Sequence, residues 1–415
     1  MKRFNGIALS VAFCSLASQA ALAQTKIDTL KVQHLNEVIV KGVRAAKEAP
    51  YAVANIRKSE LKQFSCTGQE LPFLLSRTPG ILAWSENGIG TGTTYMRIRG
   101  AAGSRINVTL DGVALNSPED QTVFWANMNS YSSLLGSIQV QRGVGSSTNG
   151  DGAFGGSISM ATAAPSLTPT AEVTGSFGSY NTYHTGASFS TGLLGKHLIF
   201  DGAYHETATD GYVDGTAGRS GSYYGGLTWL GDNFKVSYKN IGNFEKTGQA
   251  WNGVLGGDYN SNFTLLEDGI RTYKDMYMAG LDKFNVLTGD MVRNGKGDYT
   301  ITPYTLRDGS KWDKTTDNFY QNHNILSATW TPGNHWSHSL SLHYTYGYGY
   351  YKEFKNNAKF AKFGLVYYDA DGNFIKKSDF IRKKGLTQHT YGMVYNTNYK
   401  DEHWDVIGGL NLQQF

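Results

Sequence analysis

The sequence predicts a mainly β protein in which residues 170–415 form antiparallel transmembrane strands. Three observations support this fold class. Apolar residues recur at every second position from about residue 170 onward, which places them on one face of each strand. The chain contains 50 Gly and 26 Tyr against only 8 Pro, which suits many strands joined by turns. After residue 23, no segment has the ~18 consecutive apolar residues of a membrane helix, so a barrel is the membrane structure that fits.

The first 23 residues have the organisation of a secretory signal peptide. Lys2 and Arg3 give a positive start, residues 7–16 are apolar, and Ala21-Leu22-Ala23 is a small-x-small cleavage site. The apolar run is too short to span a bilayer core of about 30 Å. Removal of the two N-terminal cations from the 38 basic residues leaves 36 against 34 acidic residues, a net charge of +2. Only Cys66 remains of the two cysteines, so no intramolecular disulfide is expected.

The alternating segments have two faces and two kinds of connection. Leu340, Leu342 and Tyr344 share one parity, while Ser341 and His343 lie between them. An antiparallel sandwich with one hydrated face would alternate in the same way. Aromatic residues at strand margins favour the barrel, and so do the connections, because outer-membrane barrels have short turns on one side and long loops on the other. The short connections are at 193–195 and 332–334, and the long ones are Trp251–Asp275 and Tyr351–Lys384.

A series of short motifs lies between Leu74 and Met160. They are Leu-Leu-Ser-Arg-Thr-Pro-Gly-Ile at 74–81, Arg-Ile-Arg-Gly at 97–100, Val-Thr-Leu-Asp-Gly-Val at 108–113 and Ile-Gln-Val-Gln-Arg-Gly at 138–143, followed by a glycine-rich run to residue 157. Each motif alone is typical of an ordinary turn or strand. In this order and spacing, they resemble the plug domain of TonB-dependent outer-membrane receptors, over residues 35–165.

The resemblance implies four segments: a signal peptide (1–23), an N-terminal periplasmic segment (24–48), a mixed α/β plug domain (49–165) and a partial transmembrane β-barrel (170–415). Barrels with plugs of this kind have about 22 strands. At roughly 10 residues a strand, residues 170–415 provide about ten to twelve strands once the long loops are subtracted. The chain is therefore expected to be a truncated receptor that contains about half of a barrel.

A segment near the predicted mature N-terminus, Glu37, Val38, Ile39 and Val40, resembles the TonB box. Its β-branched residues favour an extended backbone, which suits a partner that binds by adding a strand. The resemblance implies that TonB, of the inner-membrane energy-coupling complex, binds here. The same four residues are also compatible with an ordinary plug strand.

The resemblance also implies contacts between the plug and the barrel wall. Arg97, Arg99 and Arg142 lie beside glycines and are expected to contact barrel carboxylates such as Glu206 or Glu245. A guanidinium suits this role because it pairs bidentately with a carboxylate. The sequence departs from the family at residue 139, where Gln replaces the usual Glu.

Two plug loops, residues 85–94 and 116–127, are expected to face outward and contact a ligand. Their glycines, polar side chains and aromatic rings suit adaptable recognition. For Phe124 and Trp125, packing against the barrel is an equal alternative. The candidate ligand-binding residues are Asn87, Thr91, Thr93, Tyr95, Asn116, Phe124 and Trp125.

The sequence contains no HExxH, GxSxG or Cys/His motif, so neither an enzyme nor a cofactor is expected. The resemblance implies TonB-dependent active transport of a ferric siderophore, haem or cobalamin-like chelate across the outer membrane of a Gram-negative bacterium. The implied partners are TonB, outer-membrane lipid and lipopolysaccharide, and the small ligand; the net charge gives no reason to expect nucleic acid. Alternatives are a glycan transporter, a passive porin, a surface adhesin, and a secreted β-rich enzyme or carbohydrate-binding protein.

Basic residues are concentrated in residues 351–384, which contain nine Lys or Arg and four Asp or Glu, a net charge of +5. An ordinary solvated loop is one interpretation. A loop that attracts an anionic ligand or lipopolysaccharide phosphates is the other. His335 and His338 flank Trp336 beside a turn, and two histidines without a third ligand favour surface residues over a metal site.

Proline at position 38 tests the interpretation of the TonB box. Because proline has no backbone N–H and fixes φ near −65°, Val38→Pro should abolish uptake by the full-length receptor. Val38→Ala retains the N–H and should reduce uptake far less. Binding of labelled ligand to whole cells should survive both changes. If Glu37 to Val40 form only a plug strand, binding and folding should instead be lost together with uptake.

Overall fold

The computed structural model describes residues 44–45, 52–144, 153–254, 268–294 and 296–415. Within these residues the chain is mainly β, as predicted, with an N-terminal unit of mixed helices and strands followed by a large antiparallel sheet. The predicted signal peptide (1–23) and the predicted TonB box (Glu37 to Val40) lie outside the described residues. No helix in the described part of the chain is long and apolar enough to cross a membrane.

The N-terminal unit is built on a five-stranded sheet with short helices beside it. The strand order is β1-β6-β7-β4-β5, and the pairings are antiparallel except for β4 with β7. Strands β2 and β3 form a separate hairpin. The strands are β1 Ala52–Arg57, β2 Ile81–Ser85, β3 Thr94–Ile98, β4 Ile106–Leu110, β5 Val113–Ala114, β6 Leu135–Arg142 and β7 Gly156–Thr162; the α-helices are α1 Lys58–Ser65, α2 Leu71–Leu75 and α3 Tyr131–Leu134; and 3-10 turns lie at Gly103–Arg105 and Trp125–Met128.

The sequence motifs of this unit form its turns and part of its core. Leu74 and Leu75 lie in α2 and are buried. Asp111 and Gly112 form the tight turn between β4 and β5, with φ angles of 50° and 86°. Both central residues of a type I′ turn require positive φ, which Asp and Gly tolerate well. The Asp-Gly pair therefore determines where β4 ends and the chain reverses.

The large sheet contains nine strands, and strands adjacent in sequence are neighbours in space. The order from one edge to the other is β18-β17-β16-β15-β12-β11-β10-β9-β8. A two-stranded hairpin, β13–β14, lies in the long connection between β12 and β15. The bounds are β8 Thr170–Phe177, β9 Tyr183–Ser190, β10 Leu198–Thr209, β11 Gly218–Leu230, β12 Phe234–Gly248, β13 Gly289–Arg293, β14 Tyr299–Pro303, β15 Thr316–Trp330, β16 Trp336–Lys359, β17 Lys377–Lys400 and β18 Asp405–Gln414, with helix α4 at Tyr273–Met278 and a 3-10 turn at Phe360–Phe363.

The two faces of the sheet follow the predicted alternation. Leu342 and Tyr344 of β16 are exposed, whereas Ser341 and His343 are buried. The outer face therefore carries apolar and aromatic side chains, and the inner face, which faces the N-terminal unit, is mostly polar, as in a transmembrane barrel. Trp229, Phe234, Trp330 and Trp336 lie together beside the short connections 231–233 and 331–335, at one end of the outer face.

Connections of different lengths lie at opposite ends of the sheet. At the aromatic end, strands are joined by residues 191–197, 231–233, 331–335 and 401–404; at the other end, the connections include 210–217, 249–315 and 360–376. The prediction of one long loop at Tyr351–Lys384 is wrong in extent. β16 and β17 continue as a paired hairpin to Lys359 and from Lys377, because the backbone ladder persists past a bulge between Lys355 and Ala358.

Trp125, for which ligand contact and packing against the barrel are equal predictions, lies in the core of the N-terminal unit with Met128 and Tyr131. Its side chain is 5% exposed, whereas that of Phe124 is 55% exposed. Trp125→Ala should therefore lower the stability of the unit by roughly 3–5 kcal/mol, and Phe124→Ala should have little effect. The measurement is the unfolding midpoint of each purified variant in detergent. Equal midpoints for the two variants would contradict this assignment of Trp125.

Candidate functional site

The N-terminal unit and the inner face of the sheet share an interface that combines packing with hydrogen bonds. Ile241 of β12 joins the hydrophobic core of the N-terminal unit. Asn243 Nδ2 donates to Tyr131 Oη at 2.9 Å, and Asn129 Nδ2 donates to Ser220 Oγ at 2.5 Å. These contacts pair buried polar groups of one unit with those of the other, so the sheet completes the surface of the unit.

An ion pair joins the two units at the turn between β4 and β5. Lys239 Nζ of β12 lies 2.7 Å from Asp111 Oδ2, and their side chains are only 18% and 14% exposed. Asp111 also accepts hydrogen bonds from the backbone N–H and the hydroxyl of Thr162, at 3.0 and 2.9 Å. Burial raises the pKa of the Asp111 carboxyl, but the Lys239 ammonium and the Thr162 donors outweigh burial, so the pKa lies below its ordinary value.

Arg44 fastens the start of the N-terminal unit to strands β6 and β7. Its guanidinium donates to Ser159 Oγ at 3.2 Å and Ser159 O at 2.9 Å, and to Ser137 Oγ at 3.0 Å and Ser137 O at 3.3 Å. Gln139 holds the next residue, because its side chain accepts from Ala45 N at 2.7 Å and donates to Ala45 O at 3.2 Å. At position 139, where the family usually has Glu, the neutral amide of Gln139 thus both accepts and donates a hydrogen bond.

The same region places Arg44 within electrostatic reach of Asp111. Burial lowers the pKa of Arg44, and the Asp111 carboxylate opposes that effect. Asp111 is therefore influenced by one cation from the sheet and one from the chain segment that precedes β1. Arg44 follows the predicted TonB box after residues 41–43.

A group of carboxyls is buried nearer the end that carries the long connections. Glu70 is fully buried and accepts hydrogen bonds from Gly92 N at 2.8 Å and from the Thr94 hydroxyl. Burial raises the pKa of Glu70 to about 8, with a smaller contribution from repulsion by Glu86. Glu245 of β12 interacts electrostatically with Glu70 across the interface. This glutamate, expected to meet an arginine, therefore lies beside another acid.

The three predicted arginines lie elsewhere. Arg97 and Arg99 are exposed, and Arg142 Nη1 donates to Pro79 O at 2.8 Å within the N-terminal unit. Among the described residues, the ion pairs that link the unit to the sheet are Lys239–Asp111 and the exposed Lys62–Glu172. Glu206 pairs with Arg219 on the neighbouring strand β11. The proposed role of the three arginines as plug–barrel contacts stays a prediction.

Two predicted ligand residues of the loop at 85–94 serve its own structure. Asn87 and Thr91 are buried and bonded to each other at 3.0 Å, and Asn87 Oδ1 also accepts from Ile89 N at 3.1 Å. Thr93 Oγ1 donates to Gln249 Oε1 at 2.8 Å, which ties this loop to the long connection 249–315.

The remaining predicted ligand residues differ in accessibility. Asn116 bonds backbone groups of its own unit, accepting from Val108 N at 2.8 Å and donating to Ile106 O at 2.9 Å. Tyr95 and Phe124 are exposed, and Tyr95 Oη donates to Glu86 Oε1 at 2.6 Å. Of the predicted ligand residues, these two aromatic side chains are therefore the most accessible in this conformation.

Metal coordination has no support in the described residues, where no group of three or more His, Cys, Asp or Glu side chains is arranged to hold an ion. His338 Nδ1 lies 3.0 Å from Tyr395 Oη, and His335 Nδ1 lies 3.0 Å from Lys400 O.

Sequence reasoning missed the roles of Arg44, Asp111, Lys239 and Glu70. The sequence does indicate which way Lys239 points. In β12 the apolar residues alternate with polar ones, and Lys239 has the parity of the polar residues.

The Lys239–Asp111 pair can be tested with single and double variants. Asp111→Asn or Lys239→Met leaves one buried charge without its partner, which should weaken attachment of the N-terminal unit by roughly 3–5 kcal/mol. The double variant should recover part of this loss. Lys62→Gln, at the exposed pair, should change little. The measurement is hydrogen exchange in β7. Equal exchange in wild type and both single variants would exclude a holding role for this pair.

Comparison with known proteins agrees with the architecture. Residues 45–157 match the family model of the TonB-dependent Receptor Plug Domain, and no curated protein matches the chain. Similar solved structures include the ferric-catecholate import receptor Fiu of Escherichia coli K12 in its closed form (TM-score 0.59, 12% identity, 89% of this chain and 47% of that one). Another is BauA, the ferric preacinetobactin receptor of Acinetobacter baumannii (TM-score 0.58, 11% identity, 89% of this chain and 47% of that one).

A third similar structure is FpvA of P. aeruginosa bound to a heterologous pyoverdine (TM-score 0.55, 11% identity), of which the alignment covers 86% of this chain and 41% of that one. This chain thus spans less than half the length of these three receptors. At such identities the likeness establishes a shared fold. Residues 45–157 are thus similar to the plug domain of TonB-dependent receptors, and the described chain shares the fold of the corresponding part of these receptors.

Proposed function

We propose that this chain belongs to a TonB-dependent transporter that imports a ferric siderophore across the outer membrane. The observation that carries the proposal is the plug held on the polar inner face of the sheet by Lys239 and Asp111. A passive porin needs an open lumen, and a plug seated on the inner wall obstructs it. The similar structures include a ferric-catecholate import receptor, a ferric preacinetobactin receptor and FpvA bound to a heterologous pyoverdine.

The geometry supports a transport cycle in which the ligand binds first at the end of the sheet that carries the long connections. The loop at 85–94 meets the connections there, with Tyr212 N donating to Asn87 O at 2.9 Å and Ala250 N donating to Glu86 Oε2 at 2.9 Å. A ligand bound among these elements would contact the plug and the sheet at once. Tyr95 and Phe124 are the side chains best placed for such contact, since both are exposed.

The coupling step uses the opposite end of the plug. TonB would pair with Glu37 to Val40 as an added strand, and the pull would reach the described chain at Arg44. The four hydrogen bonds of Arg44 pass this load to β6 and β7. Because β7 ends at Thr162, which bonds both Asp111 and Lys239, displacement of β7 would disturb the ion pair that holds the plug.

The partner supplies the energy in this mechanism, so the chain itself performs no chemistry. In the described residues two ion pairs link the plug to the sheet, one buried and one exposed, so displacement of β7 under load would act on few contacts between charged groups. We also propose the outer membrane as the location, with the aromatic side chains of the sheet facing lipid and lipopolysaccharide. We propose that residues 49–165 form the plug domain and that residues 170–415 form part of the barrel.

Growth of a deletion strain of the source organism tests this function. On iron-limited medium, the strain should fail to use one or more ferric siderophores, and the full-length gene should restore growth. The same gene should fail in a strain that lacks TonB. Restored use of an oligosaccharide, with siderophore use unaffected by the deletion, would replace the proposal with glycan transport. Restoration without TonB would overturn the transport mechanism itself.

A further inference from the structure

A cavity of about 550 Å³ lies at the outer end of the β16–β17 hairpin. Its walls come from the last residues of β16, the 3-10 turn at Phe360–Phe363 and the first residues of β17. Five cationic side chains line it, together with one aromatic ring and two asparagines. The lining residues that matter here are Lys355, Lys359, Lys362, Phe363, Lys377 and Arg382.

The charges of this cavity are only partly compensated. Glu353 forms ion pairs with Lys355, at 2.7 Å, and with Arg382. Lys359, Lys362 and Lys377 take part in none of the ion pairs found in the described residues. Cations concentrated in a concave wall focus a positive potential and raise the local concentration of anions.

Aromatic packing holds the cavity wall in place. The Phe360 and Phe380 rings stack at 5.7 Å, and Phe363 meets Phe380 edge-on at 5.0 Å. The Arg382 guanidinium lies between two rings, 5.5 Å from the centre of Phe363 and 5.6 Å from that of Tyr351. The site therefore presents one fixed cation, the Arg382 guanidinium, beside flat apolar surfaces, with the exposed lysines around it.

The bulge in β16 connects the cavity to its surroundings. Asn357 has a φ of 44°, and its N–H donates to Asp379 Oδ1 at 2.7 Å. Asn356 Nδ2 donates to Asp290 Oδ2 at 3.0 Å, which links the hairpin to β13 in the long connection 249–315. Because that connection also contacts the plug loop at 85–94, the cavity is joined to the outer end of the plug.

The cavity is lined by residues of both parities of the hairpin. Glu353 and Lys355 share the parity of Ser341 and His343, whose side chains face inward, and Arg382 is directly opposite Glu353 in the ladder. Lys383 has the other parity, and its ammonium lies over the Tyr350 ring at 4.7 Å on the outer face. Lys359 and Lys377 are opposite each other beyond the bulge, and Lys377 has the parity opposite to that of Arg382, so the cavity extends across the end of the hairpin. The rings of Phe363 and Tyr351 beside Arg382 favour an aromatic anion over a lipid phosphate.

We propose that this cavity is a binding site for a multiply anionic, aromatic iron chelate of the ferric tris-catecholate class. The inference rests on the proposed function and narrows it to one substrate class. Three catecholate dianions around ferric iron leave a triply negative complex, which matches the three lysines that have no acidic partner. Its flat rings match Phe363 beside Arg382, since cations and aromatic faces both attract such ligands. A ferric tris-hydroxamate is neutral and gains nothing from this charge.

The test compares two triple variants of the full-length receptor in outer-membrane preparations. The first, Lys359→Gln/Lys362→Gln/Lys377→Gln, removes the uncompensated cations of the cavity. The matched control, Lys352→Gln/Lys376→Gln/Lys383→Gln, removes the same charge from residues of the hairpin that do not line the cavity. The Kd of a ferric tris-catecholate should rise about tenfold in the first variant, the product of three roughly twofold effects expected of partly exposed ion pairs. The control should stay within about twofold of wild type.

Two further measurements keep the outcomes distinct. Affinity of the wild-type receptor for the tris-catecholate complex should fall as ionic strength rises, and this readout needs no variant to fold. A receptor that binds and imports a neutral tris-hydroxamate equally well, with no salt dependence, would overturn the anionic site while leaving the transport function intact. Loss of bound lipopolysaccharide from the first variant, with unchanged tris-catecholate affinity, would also overturn it. Import of no ferric chelate at all would instead reject the proposed function.

Discussion

The ion pair between Lys239 and Asp111 is the contact on which the position of the plug most depends. It joins a strand of the sheet to a turn of the plug across 128 residues of sequence. The other ion pair between the two units, Lys62–Glu172, is exposed to solvent and adds little. Because Thr162 bonds both members of the buried pair, the end of β7 lies within the contact. Whatever moves β7 therefore acts on the attachment of the plug.

Local patterns made most of the fold predictable from the sequence. A period of two residues separates outward-facing from inward-facing side chains, and the Asp-Gly pair specifies a turn. No local sequence pattern indicates which residue an inward-facing side chain will contact in the folded protein. Lys239 is visible as a polar residue on the correct parity, but its pairing with Asp111 is a property of the folded chain. The misjudged loop at Tyr351–Lys384 has the same cause, since charged side chains there conceal a continuous ladder.

The candidate site was harder to predict than the fold, for a different physical reason. Asn87 and Asn116 are polar loop residues of the kind that often contact ligands, yet Asn87 bonds the backbone of its own loop and Asn116 bonds the backbone of β4. Short amide side chains do this readily, since they imitate the backbone at close range. Arg44 precedes the motifs, so no motif indicates its role. In the folded chain its guanidinium forms four hydrogen bonds to two strands, β6 and β7. Trp125 shows that an aromatic residue in a polar loop can equally belong to the core.

The outer cavity and the plug are connected by a short series of charged and polar groups. Arg382 Nη2 donates to Tyr351 Oη at 3.1 Å, and Tyr351 is directly opposite Asp317 of β15 in the ladder. Asp317 and Glu70 both interact electrostatically with Glu245, and Glu70 belongs to the plug. Charged and polar groups therefore continue from the lining of the cavity to the buried carboxyls beside the plug.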